Sequence, residues 1–139
     1  MKKQIICLLI ACFAFASLEA QTIASLSSPN KLIEVKLIQS PDKQIQYQVF
    51  HKSKEAIAPS SLGFTLKKPA ADHRKFTVIR IDSSTFDQTW SPLLGEVKDI
   101  RNQYSALSIE LKDAGNSGIT IQVHFRIYDD GIGFRYTFP

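Results

Sequence analysis

Cysteine is nearly absent. Cys7 and Cys12 are the only two, and both fall in an N-terminal leader, so the chain after Ala20 carries no thiol. This excludes disulfides and cysteine-ligated metals as supports for the fold. An apolar core must supply the stability, although an exported protein could have used disulfides. A strong charge of one sign is missing as well. The formal net charge is +4, and without Lys2, Lys3 and Glu19 there remain 15 basic and 12 acidic residues, net +3. A nucleic-acid surface normally shows a clustered basic stripe, which so small a bias does not suggest. The only long apolar run, Ile5 to Phe15, is shorter than the ~20 residues a spanning helix needs, so no transmembrane helix is expected. At 139 residues the chain is also too short for a (β/α)8 barrel, which takes about 250. Internal repeats, coiled-coil heptads and long charged blocks are absent. With 44% hydrophobic and 22% charged residues, the composition is that of a globular protein.

What is present begins with an address. Lys2 and Lys3 form a positive n-region, Ile5 to Phe15 an apolar core, and Ser17 to Ala20 a small-residue exit before Gln21. These are the three zones of a secretory signal over residues 1–20, cleaved after Ala20. Leu9-Ile10-Ala11-Cys12 also matches the pattern that leaves a lipid on Cys12, although the apolar run continues through Phe13 and Phe15. Either route places residues 21–139 in the periplasm or cell envelope.

From Lys31 onward the pattern is short β-rich runs between turns. In Lys31 to Ile38, Ile33, Val35 and Leu37 share one face and Glu34 and Lys36 the other, the period-two signature of a half-buried strand. Ser40-Pro41-Asp42-Lys43 reads as a turn, and Gln44 to His51 alternates again. Shorter β-like runs follow at Leu62 to Leu66 and Phe76 to Ile81, with Lys67 to Lys75 polar enough for an exposed connection. Leu93, Val97, Ile100 and Tyr104 fall at helical spacing, but Pro92 and Gly95 limit that stretch to a short helix or an ordered loop. Ala106 to Leu111 and Ile119 to Tyr128 alternate strictly and are separated by the turn-rich Asp113 to Gly118. After Asp129-Asp130-Gly131 a last run, Ile132 to Phe138, would leave an unpaired aromatic edge if nothing followed it. The expectation is an all-β, antiparallel β-sandwich, incomplete at its C-terminal end.

Candidate chemistry is sparse. Acid–base chemistry usually needs facing carboxyl groups, and the one conspicuous acidic pair, Asp129-Asp130, precedes Gly131 and reads as a turn. His51, His73 and His124 are isolated and lack the spacing of a metal site, so surface positions are expected for them. Arg126 and Arg135 flank the Asp129-Asp130 turn, where cross-strand pairing or exposure explains them. No G-x-S-x-G elbow and no phosphate loop occurs, which weakens the serine-hydrolase and nucleotide-binding classes.

Two segments carry a resemblance: Thr89-Trp90-Ser91-Pro92-Leu93-Leu94-Gly95-Glu96 running on to Ile100-Arg101-Asn102-Gln103-Tyr104, and Phe125-Arg126-Ile127-Tyr128-Asp129-Asp130-Gly131-Ile132-Gly133-Phe134-Arg135-Tyr136. With Leu26-Ser27-Ser28-Pro29-Asn30 and Pro59-Ser60-Ser61-Leu62-Gly63, the chain resembles the N-terminal domain of glycoside hydrolase family 97 over essentially its whole mature length. The W-x-P-x-x-G-E and I-R-N-x-Y pair is the specific part. The D-D-G-x-G-F-R-Y run recurs in other carbohydrate-active sandwiches. The resemblance implies a galactose-mutarotase-like β-super-sandwich placed before a catalytic (β/α)8 barrel and a C-terminal β domain. It implies an α-glucosidase or α-galactosidase that uses calcium and acts on an oligosaccharide substrate. The catalytic carboxylates and calcium ligands are expected beyond Pro139, so no catalytic and no metal residue is assigned here.

Trp90, Glu96, Arg101 and Asn102 are the candidates for sugar contact or for the interface with the barrel. The single tryptophan could stack on a sugar ring or anchor a loop in the core or against the barrel. An arginine fork on a carboxylate would pin the loop. The rival expectation is a free-standing carbohydrate-binding module or surface lipoprotein.

Overall fold

The computed structural model describes residues 20–67, 70–115 and 117–138. Ten strands run in order: β1 (Gln21–Ser27), β2 (Ile33–Gln39), β3 (Ile45–His51), β4 (Lys54–Ser61), β5 (Phe64–Lys67), β6 (Ala70–His73), β7 (Phe76–Trp90), β8 (Ile100–Asp113), β9 (Thr120–Ile127) and β10 (Ile132–Thr137). They form one sheet of order β1-β2-β3-β4, a second of order β10-β9-β8-β7, and a small β5-β6 hairpin. Every pairing is antiparallel. The protein is thus an all-β sandwich, and period-two alternation builds its core. Ile33, Val35 and Leu37 of β2 meet Leu107, Ile109 and Leu111 of β8 and Ile121, Val123, Phe125 and Ile127 of β9. Burying each of these side chains is worth roughly 1.5–3 kcal/mol, the main term holding the two sheets together. Tyr47, Phe125 and Phe134 close one side, with ring centroids 5.2–6.2 Å apart.

Polar contacts fix how the sheets join. Gln39 donates from Nε2 to the Phe76 carbonyl at 3.0 Å, and the Phe76 amide donates to the Lys43 carbonyl at 2.8 Å, so β7 leaves from the first sheet's rim. At the opposite end the Asn30 amide donates to Asp129 Oδ1 at 2.8 Å. That bond ties the β1–β2 turn to the Asp129-Asp130-Gly131 turn, so the acidic pair is structural there. Asn30 Oδ1 itself accepts from Ser28 Oγ and the Leu32 amide. The Leu26 to Asn30 and Asp129 to Gly131 segments therefore work as one clamp.

Several elements differ from expectation. Lys67 to Lys75 is not a plain exposed connection: β6 lies within it, pairs with β5 and brings His73 inside, 4% exposed and stacked on Phe64 at 4.9 Å. His73 is consequently a buried side chain and not a surface one. Of the short helix or ordered loop expected at Leu93, Val97, Ile100 and Tyr104, the loop is found, but over a shorter stretch. Ser91 to Asp99 is a loop, while Ile100 and Tyr104 belong to β8. Strands β1 and β4 and the outer half of β7 are additional elements. A two-residue turn joins β3 to β4, with Lys52 and Ser53 at φ of 50° and 63°, both left-handed as a type I′ turn requires.

Candidate functional site

Strand β9 pairs with β8 only between Ser105 and Lys112. Beyond Ser105, β7 and β8 continue alone, with Phe86 opposite Tyr104 and Trp90 opposite Ile100. They form a two-stranded ribbon projecting past the sandwich. Strand alternation sets its faces. Leu107 faces the core, so Ser105, Gln103 and Arg101 share its side, together with Thr85, Asp87 and Thr89 across the ladder. Phe86, Gln88 and Trp90 share the outer side with Ile100, Asn102 and Tyr104.

The four candidate residues are therefore divided. Trp90 and Asn102 occupy the same outer face, and Trp90 is 50% exposed, so it does not anchor the sandwich core. Arg101 lies on the reverse face. Its fork grips Asp87 and not Glu96, with Nε to Oδ1 at 2.8 Å and Nη2 to Oδ2 at 2.6 Å. The guanidinium hydrogen bonds hold the Asp87 carboxyl below its usual range, and Asp87, with a smaller contribution from Asp129, raises Arg101. Glu96 sits exposed in the loop, whose mouth is closed by Ser91 Oγ donating to Asp99 at 2.6 Å. The expected pinning by an arginine fork exists, but its carboxylate comes from β7, 14 residues before Arg101.

The ribbon tip is apolar and uncovered. Leu93 and Leu94 are 101% and 92% exposed, and Val97, Trp90 and Ile100 are exposed beside them. Below the tip Phe86 stacks on Tyr104 at 5.0 Å, Tyr104 meets Tyr128 at 5.2 Å, and Arg126 lies 4.8 Å over the Tyr104 ring. Arg126 and Arg135 have no carboxylate partner among the described residues, so exposure and not cross-strand pairing accounts for them.

Acid–base chemistry finds little to work with. A glycosidase's general acid needs a raised carboxyl pKa. The shifted carboxyls here, Asp42, Asp87 and Asp113, are all lowered. Asp82 is bound by Arg80, and Asp129 by the Asn30 amide. Among the described residues no three His, Cys, Asp or Glu side chains converge on a point where a metal ion could sit. Calcium binds through six to eight oxygens, and the carboxylates among the described residues gather no such set. No helix among the described residues is long and apolar enough to cross a membrane.

Comparison with known proteins agrees with this geometry. In fold, the chain is similar to a glycoside hydrolase family 97 enzyme from Pseudoalteromonas sp. strain K8, solved with acarbose and with panose. The match has a TM-score of 0.75 and 26% identity over 84% of this chain and 17% of that one. A β-arabinopyranosidase shares the fold with a TM-score of 0.72 at 18% identity, again over 84% of this chain and 18% of its own. The chain thus spans about a sixth of the length of these enzymes. The family described as glycosyl-hydrolase 97 N-terminal matches residues 26–139, and the chain belongs to that family.

Proposed function

We propose that this chain is the non-catalytic N-terminal portion of an exported α-glycosidase, an α-glucosidase or α-galactosidase, and that it scaffolds a catalytic (β/α)8 barrel. The observation that carries the reading is the ribbon tip, where Trp90, Leu93, Leu94, Val97 and Ile100 expose a continuous apolar surface. Such patches mark contact with another body. In this reading the tip packs against the barrel and Trp90 with Asn102 reaches the rim of the sugar cleft. The Arg101–Asp87 fork and the Ser91–Asp99 bond hold the loop that presents them, and Glu96 stands exposed on that loop for contact with the barrel. Calcium belongs to the full-length protein in this proposal, with ligands outside the described residues.

Export is supported by the tripartite leader, which apart from Ala20 lies outside the described residues. The structure is compatible with cleavage there: β1 begins at Gln21, paired with Gln39, so removal of residues 1–20 leaves the whole strand. A lipid on Cys12 would instead leave a tether of residues 13–20 ahead of β1.

Turnover of aryl α-glucosides and α-galactosides tests the reading. The full-length protein should hydrolyse one class, while residues 21–139 alone should hydrolyse neither; calcium-dependent turnover by the short chain would refute it. The half-exposed Trp90 favours a second reading, a carbohydrate-binding module that acts alone. Calorimetry with maltooligosaccharides separates the two, because a module binds saturably and loses binding on Trp90→Ala, whereas a scaffold does not bind.

A further inference from the structure

A second feature lies on the outer face of the same sheet. It is six ladder positions from the ribbon tip, about 20 Å at the usual strand rise. Gly133 of β10 stands opposite Arg126 of β9, and Arg135 stands opposite His124. A Cβ at Gly133 would meet nothing within 4 Å, so the outer row of side chains has a gap there. A hollow of about 300 Å³ opens at this gap, walled by Arg126, Arg135, His124 and Tyr128. No carboxylate lines it. Elsewhere on this sheet arginines are neutralised, Arg80 by Asp82 and Arg101 by Asp87, but Arg126 and Arg135 have no such partner among the described residues. Arg126 rests over the Tyr104 ring, and His124 is held through Nδ1 by Ser108 Oγ at 3.1 Å, which leaves Nε2 for a ligand.

We infer that this hollow is an anion-selective sugar subsite that takes one carboxylate-bearing ring, a uronate. Two unpaired guanidinium forks match a carboxylate, which they can grip by paired N–H bonds. The volume lies at the small end of ligand sites and suits one ring, not an oligosaccharide. The Tyr128 ring offers a wall against which a pyranose can pack. The sugar half of the inference rests on the proposed function, whereas the anion half rests on the hollow alone.

The test is calorimetric titration of the full-length protein with glucuronate, galacturonate, glucose and acetate. The uronates should bind saturably, glucose and acetate at least tenfold more weakly, and about 0.5 M salt should weaken uronate binding several-fold. Arg126→Gln with Arg135→Gln should abolish it. Gly133→Leu fills the gap on a strand position whose backbone any residue can adopt, so it should block binding while leaving the thermal unfolding midpoint in place. Uronates binding no better than glucose, or surviving Gly133→Leu, would overturn the subsite. Acetate binding as tightly as the uronates would overturn its assignment to a sugar. Turnover of neutral aryl α-glycosides by the same preparation reports on the proposed function separately. Turnover without uronate binding removes only the hollow, and uronate binding without turnover removes only the glycosidase reading.

Discussion

Asp113 closes β8 and meets three donors at once. Ser117 Oγ donates to Oδ2 at 2.5 Å, His73 Nδ1 stands 3.4 Å from Oδ1, and the Gly115 amide adds a third bond. Burial pushes the carboxyl up, but the Ser117 and His73 contacts outweigh it and the net shift is downward. A carboxyl lowered in the folded state stabilises the fold above its unfolded pKa, and that contribution disappears as pH falls through the folded value. Asp42 and Asp87 are lowered too, but both are exposed and screened, so Asp113 dominates the acid limb among these three. Asp113→Asn should therefore cost about 1–3 kcal/mol at neutral pH, and the loss should shrink as pH falls below the ordinary Asp value of about 3.9. Urea melts at a series of pH values measure this. A penalty that stays constant into acid would show that Asp113 acts through shape and not through charge. His73 Nε2 is buried without a hydrogen-bond partner among the described residues, so the cluster ties the β5–β6 hairpin to the end of β8 while leaving one polar atom unpaired.

The ribbon depends on few interactions, which makes its fork important locally. Arg101→Lys keeps the charge but loses the paired bonds to Asp87. The expected result is faster hydrogen exchange at the amides of Phe86 to Trp90 and Ile100 to Tyr104, with the global melting temperature unchanged. Equal protection in the variant would mean that the ladder alone holds the ribbon. The same ribbon shows where sequence patterns inform and where they fall silent. Strands β2, the inner part of β8, and β9 are legible because each has one face buried, so alternation is written into them. From Ser83 onward every position of β7 is exposed, and Phe86 to Trp90 projects past the sandwich; a strand without a buried face has no reason to alternate. β4 fails for the same reason: almost every position is exposed, and Pro59 disguises it. The β3–β4 turn carries no Gly, Asn or Asp, only Lys52 and Ser53 in left-handed conformations. At the site, the pinning of Arg101 is legible in type, but its partner Asp87 becomes visible only once the long hairpin register is known. The hollow is illegible because it is made by the absence of a side chain at Gly133, between arginines that read as ordinary surface charge.

At the scale of the whole molecule the sandwich and the ribbon make different demands. The sandwich closes a core of its own, with Val35, Leu37, Ile109, Val123 and Phe125 fully buried. The ribbon tip contributes nothing to that core, yet it concentrates the most exposed leucines of the described chain. If the tip exists to meet a barrel, its energetic effect must appear only in the longer protein. Leu93→Ser with Leu94→Ser removes apolar area that residues 21–139 never bury, so the short chain should melt within about 0.5 kcal/mol of wild type. In the full-length protein the same pair should lower the melting temperature and expose the Ser91 to Asp99 loop to protease, because a buried leucine is worth about 1.5–3 kcal/mol. Differential scanning calorimetry and limited proteolysis of both lengths, with and without the substitutions, make the comparison. Destabilisation of the short chain would mean that the leucines pack within it after all. No effect at either length would mean that the tip faces solvent throughout and that the scaffold reading has lost its main support.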